Sequence, residues 1–292
     1  MTTDQTPDGL RPDAITTVRT TTANATVETT LLNQVPPETT SAAPTAPPPV
    51  TASTPDTRPA PRSGRSHWYW PRFLFRVGMI GILLVILLVA SLVVAYRWID
   101  PPSSTLMFGQ RLMGTEIRQE WRPLDRISPN LIAAVVTSED SGFCRHNGVD
   151  WIELEAAYER GQDGGIGGGS TISMQLIKNL FLWPSRSYIR KALEIPLTLA
   201  SESVWPKRRI LEMYLNIVEL GPGIFGAEAA SRHYFGKSAA NLTAREAALL
   251  ASALPNPLQR DSSRPSQLHR TLATRLESRM KAAGRFTSCI LP

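Results

Sequence analysis

Three short polar segments carry the residue types that acid–base and phosphate chemistry require. The first reads Ser138-Glu139-Asp140-Ser141-Gly142-Phe143-Cys144-Arg145-His146-Asn147-Gly148. The second is Gly169-Ser170-Thr171-Ile172-Ser173-Met174-Gln175-Leu176-Ile177-Lys178-Asn179, and the third Arg190-Lys191-Ala192-Leu193-Glu194. Two carboxylates accompanied by amides, hydroxyls and fixed cations suit the making or breaking of a glycosidic bond to an anionic leaving group. A carboxylate can take the proton of an attacking hydroxyl. Cations stabilise charge that develops on the departing group.

Each segment alone also has an ordinary explanation. Arg190 and Glu194 are four apart, the spacing of a surface ion pair on a helix, with Lys191 beside them. Gln175, Lys178 and Asn179 make a polar stripe that solvent alone would satisfy. Ser170 and Thr171 fall at a helix start, where free amides and the dipole favour an anion. Pro196 removes an amide donor two residues after Glu194 and is expected to kink that helix.

The elements that must position these residues read as helices. Ser128-Pro129 is a cap followed by proline at the first helical position, and the helix it opens delivers Glu139 at its end. Ser170 is the expected cap of the next helix, with Ile172, Leu176, Leu180 and Trp183 at helical spacing. Further helices are expected over Arg186 to about Val204, over Lys207 to Leu220 with Gly221 closing it, and over Pro265 to Gly284. Thr243-Ala244-Arg245-Glu246 is a capping box opening a helix that stops near Pro255. No stretch alternates with period two, so the fold class is mainly α with little or no sheet. The glycine-rich residues 161–169 read equally as a mobile lid or a plain solvent loop.

Composition divides the chain. Residues 1–61 are crowded with Thr, Pro, Ala and Ser and lack the apolar area to offset ordering entropy, so they read as a disordered tail. Residues 62–76 form a basic juxtamembrane segment. Residues 77–96 run for 20 positions without a charge, enough at about 1.5 Å per residue to cross a bilayer core. Arg62, Arg65, Arg72 and Arg76 precede this span without an acid among them, which puts the N-terminus in the cytoplasm and residues 97–292 outside. Trp68, Tyr69 and Trp70 on one side, with Tyr96 and Trp98 on the other, read as interfacial anchors. Leu106, Met107 and Phe108 are candidates to dip into the outer leaflet.

The outer part carries most of the chain's net charge of +6. Mild basicity beside a membrane favours anionic head groups or phosphates. Nucleic acid is a poor partner, because no basic run is interleaved with stacking aromatics. No His and Cys cluster has metal-ligand spacing. Cys144 and Cys289 would face an oxidising compartment, but sequence gives no distance between them, so their pairing stays open.

Taken together and in order, the motifs resemble a known family. Glu139-Asp140-x-x-Phe143-x-x-His146-x-Gly148, Gly169-Ser170-Thr171-Ile172 with Gln175 and Lys178-Asn179, Arg190-Lys191-x-x-Glu194, and Lys207-x-x-Ile210-Leu211-x-x-Tyr214-x-Asn216 resemble the peptidoglycan glycosyltransferase domain. That domain occurs in bifunctional penicillin-binding proteins and in monofunctional biosynthetic transglycosylases. Gly223 to Ala230, Tyr234 to Lys237 and Glu246 to Pro257 agree, and Asn179-Leu180-Phe181-Leu182-Trp183 looks like the monofunctional branch. The likeness covers roughly residues 100–285.

The resemblance implies a lysozyme-like helical fold in a bacterial inner membrane protein. It implies that lipid II is the substrate, added with inversion to a growing glycan strand that remains on its diphosphate lipid. Glu139 is then the base and Glu194 the second essential acid. Asp140, Phe143, Ser170, Thr171, Gln175, Lys178, Asn179, Arg186, Arg190 and Lys191 are the expected substrate-binding residues. A divalent cation, Mg²⁺ or Mn²⁺, is implied on the diphosphate, and no organic cofactor. Implied partners are lipid II, the glycan strand, membrane lipid and proteins of the wall-building or division machinery. Two positions depart from the family pattern. Met174 stands where a first glutamine is usual, and the family's last motif, an Arg followed by a Val-Leu pair, is poorly kept around Leu272 to Arg279. The one Ser-x-x-Lys spacing weighed as a transpeptidase nucleophile, Ser278 to Lys281, falls in the terminal helix, so a monofunctional enzyme is expected. The rival readings are a lytic enzyme on the same fold and a non-catalytic scaffold working through the Thr/Pro-rich tail.

Overall fold

A computed structural model describes residues 69–162, 169–185, 187–282 and 286–291. The tail over 1–61, residues 62–68 of the basic segment, most of the glycine-rich stretch and Arg186 lie outside the described residues.

The first helix, α1 (Tyr69–Ala95), has 27 residues and begins eight positions before the uncharged run. From Trp70 to Ala95 it is long and apolar enough to cross a membrane, and little of it is buried by the rest of the protein. Its end is different: Val93 is buried in the domain that follows. A short helix, α2 (Thr105–Leu112), comes next, capped by Ser104, whose Oγ accepts from Met107 N at 3.1 Å. Among the three side chains expected to reach lipid, Met107 is 0% exposed and belongs to the core, whereas Phe108 is 60% exposed. The α2 helix turns one apolar face inward, so the trio cannot act as one patch.

Helix α3 (Pro129–Glu139) starts on Ser128 with proline at its first position, as the sequence predicts. Helix α4 (Trp151–Gln162) was not foreseen: its acids and exposed apolar residues hide the helical period. In α5 (Ile172–Phe181) the cap is Thr171 rather than Ser170, its Oγ1 accepting from Met174 N at 3.1 Å. Helix α6 (Tyr188–Val204) contains Pro196 and is capped by Ser187. Helix α7 (Lys207–Ile217) stops short of the expected Leu220. The chain there turns into strand β2 (Glu219–Gly221), antiparallel to β3 (Ile224–Phe225), which pairs in parallel with β1 (Arg118–Gln119). Strands this short have no room for period-two alternation, hence their absence from the sequence reading. Helices α8 (Ala227–Phe235), α9 (Ala244–Ala253) and α10 (Gln267–Met280) complete the domain, and α9 has the predicted capping box.

The architecture is mainly helical, as expected. Helix α3 packs against α9 and α10, while α5 packs against α6 and α7. One core joins both sets through Leu131, Val135, Leu176, Tyr214, Ala248 and Leu276. The α3 and α5 helices therefore have rigid backing, and their polar ends meet at the surface.

Candidate active site

The last turn of α3 brings Glu139 to an open cleft of about 540 Å³, which Ser138, Ser170, Gln175, Lys178 and Arg279 also line. Glu139 Oε2 accepts from Gln175 Nε2 at 3.0 Å, and Gln175 Oε1 accepts from the Tyr214 hydroxyl at 3.0 Å. Tyr214 is fully buried. Burial pushes its phenol well above its usual range, so it stays a donor. That fixes which end of the Gln175 amide faces Glu139. One carboxylate oxygen is thus held while the carboxyl still fronts the cleft.

Burial raises the pKa of Glu139, with Asp140 adding to the effect; the Gln175 and Ser138 hydrogen bonds and Lys178 oppose it. Lys178 shifts the other way. Desolvation lowers its pKa, Arg190 and Lys191 push in the same direction, and Glu194 and Glu139 resist. Lys178 thus feels both glutamates. Its ammonium has no hydrogen bond or ion pair among the described residues and faces the cleft.

Glu194 has a different setting. It is 2% exposed, with Oε2 on Arg190 Nη1 and Oε1 on Lys191 Nζ at 3.1 Å. Arg190 Nε also donates to Ser185 O at 2.8 Å. Lys191 Nζ reaches Ser170 Oγ at 3.2 Å, which ties this cluster to the cleft rim. What the sequence offered as a surface ion pair is a buried three-residue charge cluster. Met174, in the usual place of a glutamine, is fully buried with its sulfur 4.0 Å from Lys191 Nζ. A thioether is a weak acceptor and suits that contact.

Several expected binding residues are committed inside the protein. Phe143 is 0% exposed and cannot touch a substrate. Its ring packs under Lys207 Nζ, 4.5 Å from the centroid, and edge-on to His146. Its place in the motif reflects packing, a correction to the binding role expected of it. Asp140 borders the cleft, yet its carboxylate accepts from His146 Nε2 at 2.9 Å and from Ile172 N at 3.0 Å. It thereby locks the start of α5 to the end of α3. Thr171 is buried, caps α5 and donates to Gly148 O. Asn179 is buried, so the predicted polar stripe on α5 is partly internal. Gly148 has φ of +92°, and a Cβ there would meet Glu202 Cγ at 2.8 Å, so only glycine fits.

One feature escaped the sequence reading and a second was left open by it. Arg279, from α10, lines the cleft and donates to Thr137 O at 2.8 Å, a carbonyl in the last turn of α3. A lone arginine in a terminal helix carries no local signal of this. Secondly, Cys144 and Cys289 form a disulfide across 145 residues of sequence, tying the motif after Glu139 to the C-terminal segment. Ile290 beside it is buried in the core. Among the described residues no three His, Cys, Asp or Glu side chains converge to hold a metal ion.

A cleft lined by a carboxylate and by a cation unpaired among the described residues, with a second carboxylate buried among cations behind its rim, suits the transfer of a glycosyl group. A transglycosylase family model matches residues 107–281, and the chain belongs to that family. The biosynthetic peptidoglycan transglycosylase of Rhodospirillum centenum is 52% identical over 225 residues, covering 76% of this chain and 97% of that protein. The protein of the same name from Agrobacterium fabrum is 47% identical, covering 65% of this chain and 84% of its own length. The one from Brucella suis is 45% identical, covering 72% and 94%.

Proposed function

We propose that this protein polymerises lipid II into glycan strands as a peptidoglycan glycosyltransferase anchored by α1. The observation that carries the reading is Glu139, held by Gln175 and Tyr214 at the cleft with the free ammonium of Lys178 beside it. Glu139 takes the proton of the acceptor's 4-hydroxyl as that oxygen attacks the donor sugar's anomeric carbon. The bond from that carbon to the diphosphate breaks on the opposite face, so the product is inverted. The leaving diphosphate keeps the electron pair and needs a counter-charge more than a proton, which Lys178 supplies. A carboxylate with raised proton affinity is a better base at neutral pH than an ordinary one.

Glu194 acts through its cations. It holds Arg190 and Lys191 against their mutual repulsion, close enough for both to depress the Lys178 pKa. It is a positioning residue in this reading, as is Asp140. Ser170 and Gln175 line the cleft and are placed to touch sugar or phosphate. Arg186 keeps its expected role with the diphosphate on the family resemblance alone. Any Mg²⁺ or Mn²⁺ belongs on the substrate's diphosphate rather than on the protein. Both oxygens of Glu194 are taken by cations and those of Asp140 by His146 and Ile172, so the residues present do not fit a protein-held ion.

The domain lies outside the cytoplasmic membrane, with α1 spanning it and the N-terminus inside. The basic residues ahead of α1 support this orientation, and so does the disulfide, which persists in oxidising compartments. The lytic alternative lacks support, since hydrolysis has no use for a cation cluster beside the base. Purified protein supplied with labelled lipid II should produce a polymer ladder on a gel. Release of fragments from finished wall with lipid II untouched would refute the reading.

A further inference from the structure

The junction between α1 and the catalytic domain is built as a rigid joint. The last carbonyls of a helix lack partners within it. Here those of α1 and α6 are satisfied by side chains of the opposite element. Trp205, 2% exposed, donates from Nε1 to Val93 O at 2.6 Å. Arg97, just past α1, donates to Val204 O at the end of α6. Arg209 of α7, its side chain 11% exposed, donates from Nε to Tyr96 O at 2.9 Å and from Nη2 to Ile99 O at 2.8 Å. Its Nη1 joins Asp100 at 2.8 Å and Glu212 at 2.6 Å, and its guanidinium lies over the Trp121 ring. One planar fork thus binds four groups, three on the exit segment Tyr96 to Asp100 and one on its own helix, a geometry that an ammonium cannot reproduce. Pro101 and Pro102 follow immediately and add stiffness.

The joint continues into the cleft. Tyr96 stacks on Phe181, with centroids 6.1 Å apart, and Phe181 is three residues beyond Lys178 on α5. Thr105 Oγ1 binds Asn179 O at 3.0 Å, and also Leu182 O, at the same end of α5. A simple tether would need none of these contacts.

We propose that Trp205, Arg209 and Arg97 weld the membrane helix to α6 and α7, with Tyr96 and Thr105 extending the joint to α5, and so fix the orientation in which the cleft meets a diphosphate at the bilayer surface. This rests on the reading of a lipid-borne substrate. The joint residues touch no substrate and act by positioning. Orientation matters only where the bilayer holds the substrate in a fixed plane. In a micelle, protein and substrate reorient together.

The test compares full-length protein in phosphatidylglycerol–phosphatidylethanolamine liposomes and in detergent micelles, each supplied with labelled lipid II. Arg209→Gln combined with Trp205→Phe should lower the liposome rate about tenfold, the scale on which misplacement costs rate. The micelle rate should stay within about twofold at a temperature where the variant is folded, although its melting temperature should fall through the gap left by the smaller ring and the lost Arg209 contacts. Trp205→Phe alone removes the Nε1 donor with a modest loss of fill and should show a smaller loss of the same kind. Arg209→Lys should behave as Arg209→Gln in liposomes, because it cannot span both carbonyls. Equal loss in both media, no loss in liposomes, or full rescue by lysine would each overturn the joint while leaving the proposed function standing. Wild-type protein that makes no polymer in either medium would remove the function and this inference with it.

Discussion

Glu139 and Glu194 are the same side chain in opposite circumstances. Glu139 stands at a helix end, fronting an open cleft, held by the neutral groups of Gln175 and Ser138, with no cation in ion-pair contact among the described residues. Glu194 is inside a helix, sealed from solvent, with a guanidinium and an ammonium on its two oxygens. The first keeps a raised proton affinity and a face on the cleft. The second is neutralised where it sits. An enzyme that moves a proton at one end of its substrate and balances a diphosphate at the other needs both kinds. In the proposed reading one acid serves the chemistry directly and the other serves it by arranging positive charge.

The sharpest way to break this contrast is to substitute each glutamate by its amide. Glu139→Gln should reduce polymerisation about a thousandfold, within the range a general base contributes, while the protein stays folded. Labelled lipid II on gels and a melting curve would check both halves. A variant with wild-type turnover would end the base assignment.

Glu194→Gln should cost both activity and stability. It leaves Arg190 and Lys191 without their counter-charge beside a buried amide, and breaking a buried pair in this way costs about 3–5 kcal/mol. Lys191 is partly exposed, so the lower end is expected. Differential scanning calorimetry would show a clear fall in Tm that Glu139→Gln does not show. Equal melting of the two variants would erase the distinction.

The pH dependence sharpens it further. Because Glu139 has its pKa raised from 4.5, the acid limb of kcat/KM should lie above the ordinary carboxylate value. The lowered pKa of Lys178 should bring the alkaline limb below 10.5. Linkage gives the sign for stability. The folded state binds the Glu139 proton more tightly than the unfolded state, so this group's contribution falls as pH rises from 4.5 through its folded pKa. Removing the charge by Glu139→Gln should therefore flatten that loss and leave the variant no less stable than wild type at neutral pH. Lys178 has the reverse sign, its cost easing as pH rises through its lowered pKa. Calorimetry across pH on wild type and Glu139→Gln would measure both.

The smallest effect concerns a residue that belongs to neither environment. Phe143→Leu should lower stability by about 1–2 kcal/mol through a poorer fill of its buried site, with KM for lipid II unchanged. A rise in KM without loss of stability would restore the substrate contact that burial rules out.

Much of the site was legible because its signals are local. Caps at Ser128 and Thr243, the proline at 129 and the apolar period of α5 fixed the helices that present Glu139 and Lys178. The four-residue spacing of Arg190 and Glu194 fixed their contact. Local signals failed where partners are distant. Nothing near Arg279 in the chain points to the cleft, the motif around Tyr214 does not say which side chain it aims, and α4 hides its period behind exposed apolar residues.

The residue types and their order determined the fold class, the membrane-type helix and the family, and singled out the two glutamates. Tertiary structure alone decided that Glu139 is aimed through Gln175 by a buried tyrosine and that Cys144 meets Cys289. It also decided that Phe143 faces inward and that the anchor is clamped rather than tethered. The reason is physical. Helix periods and caps are set within a few residues, whereas burial and partner choice depend on which surfaces meet when α3, α5, α7 and α10 pack.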